Sequence, residues 1–77
     1  MKNSLMKPVL VFKTSICNSD DVSKLHPLLN KIMTPNDFFN FDLEDCDNIL
    51  RVETRHLKAE SVLGLLRRHG FYCEELH

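Results

Sequence analysis

The chain has little of what most functional classes require. In 77 residues there is no tryptophan, two glycines, three prolines and three cysteines. The stretch from Thr14 to Val22 has no glycine at all, which excludes a loop there that cradles phosphate through closely spaced backbone N–H groups. Three cysteines is an odd number and too few for a disulfide framework. Free thiols belong to a reducing compartment, so the chain reads as cytoplasmic. No apolar run approaches the roughly 18–20 residues that span a bilayer, which speaks against membrane insertion. The first residues, Met1 to Lys7, are broken by polar side chains and lack an apolar stretch of signal-peptide length. Ten Lys and Arg stand against eleven Asp and Glu, a net charge of −1. That balance lacks the basic footprint behind nonspecific nucleic-acid affinity, so no nucleic-acid partner is expected. The length leaves room for one domain. A chain this small buries only about 60% of the surface exposed on unfolding.

What is present is an order of apolar patterns. Residues 1–7 read as a flexible end before a single domain over 8–77. A strand is expected over 8–13, with Leu10 and Phe12 inward and Val9 and Val11 on the other face. Asn18 or Ser19 can cap a following helix. Asp20 and Asp21 then sit in its first turn, where the helix dipole favours negative charge. Val22, Leu25, Leu29 and Ile32 form its apolar stripe. Pro27 lies inside this helix, removes a backbone donor and predicts a kink or an irregular turn at that point. Thr34-Pro-Asn-Asp37 carries turn chemistry. A second strand is expected over 38–44, with Phe39, Phe41 and Leu43 sharing a face. Glu44 to Asn48 reads as a turn. A third strand is expected over 49–54, with Leu50 and Val52 inward and Arg51 and Glu53 in solvent. A second helix over 59–69 places Val62, Leu65 and Leu66 inward, and Gly70 fits a left-handed cap. A last strand from Phe71 to Leu76 would bury Phe71 and Cys73. The order β-α-β-β-α-β predicts an α+β ferredoxin-like sandwich, four antiparallel strands with two helices on one face.

Three stretches carry a resemblance to a known family: the loop Thr14-Ser-Ile-Cys-Asn-Ser-Asp-Asp-Val22, the strand pair Phe41-Asp-Leu-Glu44 and Leu50-Arg-Val52, and the ending Leu66-Arg-Arg-His-Gly-Phe71. Together they resemble the heavy-metal-associated domains of small copper chaperones and metal-pumping ATPases, over nearly all of residues 9–76. The family's loop reads M-x-C-x-x-C, and here the chain departs from it. Placing the family's buried helix positions on Leu25, Leu29 and Ile32 sets Asn18 and Asp21 at the two cysteine positions and Ile16 at the Met position under the loop. Placing Cys17 and Asp20 there instead would bury Lys24 and Lys31, a costly exchange. Asn18 and Asp21 are thus the degenerate motif positions. They offer hard oxygens, which suit copper(I) poorly. The resemblance therefore implies a copper-chaperone-like domain without the family's cofactor.

The topology also offers a different soft-metal site. The loop after the first strand, the hairpin and the turn before the last strand share one end and carry Cys17, Cys46 and His69. Two thiols and an imidazole suit zinc or copper(I), with Asp20 or Asp47 nearby. Cys73 reads as a core residue. Asp20, Asp21, Asp42, Glu44, Asp45 and Asp47 give that end acidic character, read as caps and solvated turns. His26 and His56 have no evident partner, so no base–nucleophile pair is legible and no enzyme is expected. Val9, Val11 and Ile49 would form an apolar patch on the open sheet face. The expectation is a non-enzymatic binding module acting through a protein partner or as a homo-oligomer. The alternative is a zinc- or copper-binding or transport protein using Cys17, Cys46 and His69.

Overall fold

The computed structural model describes residues 8–44 and 47–76. The expected flexible end at 1–7, and Asp45, Cys46 and His77, lie outside the described residues. The elements are β1 (Val9–Thr14), α1 (Ser19–Ile32), β2 (Phe38–Asp42), β3 (Ile49–Glu53), α2 (Ala59–Arg68) and β4 (Cys73–Leu76). The sheet runs β2-β3-β1-β4, and every pairing is antiparallel. This is the ferredoxin-like βαββαβ arrangement, with β2 and β4 at the edges.

The period of two along the strands divides the sheet into a covered and an open face. Phe12 pairs with Leu50, and Phe39 pairs with Val52. Phe12, Leu50, Val52 and Cys73 are fully buried from the sheet side. Leu25 and Leu29 of α1 and Val62, Leu65 and Leu66 of α2 close over them as one cluster. Each large aliphatic side chain buried this way contributes about 1.5–3 kcal/mol.

Caps explain where the elements stop. The Asn18 side chain accepts from the Asp21 backbone N–H at 2.9 Å, and Asp20 and Asp21 occupy the first turn of α1. The helix assignment runs continuously through Pro27, as the apolar stripe on both sides of it predicts. Pro27 is exposed, and the buried neighbours Leu25 and Leu29 anchor the turns on either side of it. The end of α2 matches its sequence: Gly70 has φ 87°, its N–H bonds to the Arg67 carbonyl, and the Phe71 N–H bonds to the Leu66 carbonyl.

Several boundaries differ from expectation. The last strand starts at Cys73 rather than Phe71, because the Phe71 N–H belongs to the helix cap and the Tyr72 N–H donates to Ser15 Oγ at 2.9 Å. Phe71 is consequently only half-buried. The second strand ends at Asp42, and the third ends at Glu53. Thr54 is buried, and its hydroxyl accepts from the His56 and Leu57 N–H groups, turning the chain towards α2.

Candidate functional site

Thr14 ties together the three loops that the topology gathers. It is 5% exposed, and its hydroxyl donates to the Asn48 carbonyl at 2.7 Å while accepting from the Ile16 N–H at 3.1 Å. Its backbone N–H reaches the Asp47 carbonyl, and the Ser15 N–H reaches the Tyr72 carbonyl. Asn48 takes φ 51°, a left-handed turn that Asn tolerates. Ile16 is fully buried and joins the core cluster.

Around this junction, Asn18 and Asp21 are joined to each other as a helix cap. Cys17 is exposed, with its sulfur 3.7 Å from Asn18 Nδ2. His69 Nδ1 donates to the Leu65 carbonyl at 2.9 Å, one turn back on α2. Cys46 lies outside the described residues. Among the described residues, no three His, Cys, Asp or Glu side chains gather as a ligand set. The acidic residues here have basic neighbours: Lys13 lies 3.7 Å from Asp47, and Arg51 lies 3.5 Å from Asp42. Exposed pairs of this kind contribute at most about 1 kcal/mol. Cys73 is buried as expected, and burial pushes its thiol up to about 11 against the opposing charge of Arg67.

The other end of the sheet holds a cluster that sequence reading missed. The Asp37 side chain is 3% exposed and accepts from the Thr34 N–H at 3.0 Å. His56 Nε2 also bonds to it, so His56 does have a partner, nineteen residues away in the chain. The Thr34 hydrogen bond, opposed by burial and aided by His56 and Thr54, lowers the carboxyl to about 2. The Thr34-Pro-Asn-Asp37 turn was legible as local chemistry; the histidine that completes it was not.

His26 also has neighbours. Its ring centroid lies 5.0 Å from that of Phe39, and its Nδ1 lies 3.2 Å from Asn30 Nδ2. It stands between two adjoining grooves along the outer side of β2. One, of about 430 Å³, is lined by residues including His26, Asn30, Met33, Pro35 and Phe39. The other, of about 340 Å³, is lined by Ser19, Val22, His26, Phe39, Asn40, Phe41 and Leu43. Phe39 and Phe41 meet edge to face at 6.0 Å in its floor. Phe39, Phe41 and Leu43 share this face as the sequence predicts, half-buried and packed against the margin of the core.

The two edges differ in kind. β4 is four residues long and carries Glu74 and Glu75. β2 reads Phe38-Phe39-Asn40-Phe41-Asp42, with no lysine, no proline and no charge before its last residue. Its Phe38 side chain is 57% exposed on the open face. That face departs from expectation in one residue. Ile49 is buried between Lys13 and Asp42 in its row, so Leu76, paired with Val11, takes its place in the apolar patch beside Val9.

Compared with models of protein families, with curated proteins and with solved structures, the chain matches nothing.

Proposed function

We propose that the chain is a small non-enzymatic interaction module that receives an extended protein segment along β2. The carrying observation is an edge strand of aromatic residues with a half-open aromatic groove beneath α1. Natural sheets protect their edges with charge, proline, bulges or shortness. β4 has such protection and β2 has almost none. An added strand would satisfy the outward backbone groups of β2, while alternate side chains enter the groove. The non-enzymatic half of the reading rests on side chains already engaged: His56 with Asp37, His69 with Leu65, His26 with Asn30 and Phe39, and Cys73 in the core. We read the module as a divergent relative of heavy-metal-associated domains, on its fold and its loop pattern, working in a reducing compartment.

The test is a library of uncharged extended peptides, screened by backbone amide shifts of the labelled chain. Binding that shifts β2 and the groove face of α1, and spares β4, supports the reading. Peptide binding that leaves β2 unmoved sinks it.

A second reading keeps zinc or copper(I) on Cys17, Cys46 and His69. The bonds joining their loops favour it, and the Nδ1 bond of His69 leaves Nε2 available for a metal. Stoichiometric zinc binding lost in both Cys17→Ser and Cys46→Ser would establish it.

A further inference from the structure

We infer that the segment received by β2 is the β2 of a second copy of this chain, paired antiparallel about a twofold axis at Asn40. This rests on the interaction reading and adds the occupant to it. Two copies joined edge to edge in one continuous sheet must place residues of the same face opposite one another, because side chains alternate with period two. The pairing numbers must therefore sum to an even value, and only a sum of 80 pairs all of Phe38–Asp42 with itself.

That register sets Phe39 opposite Phe41 of the second copy, twice, on the face covered by α1. The edge-to-face pair already present within each chain then extends into a cluster of four rings. Asn40 faces its own counterpart on the axis, and Asp42 faces Phe38. No charge meets a like charge. Sliding the strands towards their carboxyl ends loses pairs and brings the two Asp42 side chains together, a destabilising arrangement. The groove side of α1 contributes Ser19, Val22, His26 and Asn30, without Lys, Arg, Asp or Glu. With a net charge of −1 per chain, long-range repulsion between copies is slight. β4 cannot substitute, because Glu74 and Glu75 would crowd any second β4.

The test uses the full chain in sedimentation experiments from micromolar to millimolar concentration, together with two cysteine variants in a Cys17→Ser, Cys46→Ser background. The expected result is a concentration-dependent dimer. Mild oxidation should link Asn40→Cys into a covalent dimer, since the two positions face each other within disulfide reach. Phe38→Cys should stay unlinked, because four residues of strand separate the pair by about 13 Å. Far-ultraviolet dichroism of both variants checks that the fold is retained. A monomer at every concentration overturns the self-pairing. Equal linking through Phe38→Cys, or none through Asn40→Cys in a folded dimer, overturns the register. A monomer that still captures peptides on β2 rejects the second copy as occupant and leaves the interaction reading standing.

Discussion

The Nε2–H of His56 donates to the Asp37 carboxylate across nineteen residues, joining the turn before β2 to the connector after β3. Asp37 also holds the Thr34 N–H, so one nearly buried carboxylate fixes the entry to the exposed edge strand.

This carboxylate has a consequence in acid. Its folded value, about 2, lies below the ordinary 3.8. The stability it contributes is therefore fully present above the ordinary value and is lost as pH falls through that window towards about 2. Urea midpoints of the wild type should fall more steeply between those limits than midpoints of Asp37→Asn. Carboxyl NMR should show Asp37 titrating near 2; titration at the ordinary value would remove the argument.

Thr14 is the second test. Thr14→Val keeps the shape but strands the Ile16 N–H and the Asn48 carbonyl. Each buried group left unpaired costs about 1–3 kcal/mol, and the Asn48 carbonyl is only part-buried, so a loss of about 2–4 kcal/mol is expected in urea unfolding. Thr14→Ser should recover most of it. An unchanged Thr14→Val midpoint would mean that these bonds do not hold the loop junction.

Pro27 offers a stabilising change. Pro27→Ala restores a helix N–H facing the Ser23 carbonyl and removes a residue that costs about 3 kcal/mol in a helix interior. The freer unfolded chain returns about 0.4–1 kcal/mol of that. A net gain of roughly 2 kcal/mol or slightly more should appear as a higher thermal midpoint. A lower midpoint would show that the proline ring packs in a way its exposure does not reveal.

The described thiols should separate by reactivity. Cys17 is exposed, whereas Cys73 is buried with its thiol raised to about 11. Alkylation at pH 8, followed by mass spectrometry, should modify Cys17 in the folded chain and Cys73 only after denaturation. Early modification of Cys73 would show that β4 opens readily.

Much of the fold was readable locally. Leu10 and Phe12 alternate with Val9 and Val11, and the inward pair was identified by where the helices must lie. Gly70 signalled its cap through the need for a positive φ. Asn18 signalled its cap through a side chain within reach of its own helix. The failures occurred where a backbone group had a distant claim on it. Tyr72 leaves the last strand because Ser15 takes its N–H, fifty-seven residues away. Ile49 is buried on a face that its strand alone marked as open.

By itself the sequence determined the element order, the covered faces and the composition of each edge, because these depend on periodicity and on residues within a turn of one another. Tertiary structure alone decided that His56 meets Asp37, that Ser15 takes the Tyr72 N–H, and that the aromatic strand lies uncovered at the sheet margin. Those outcomes depend on which strands pair and on which side chains from remote segments arrive together. No local pattern carries that information.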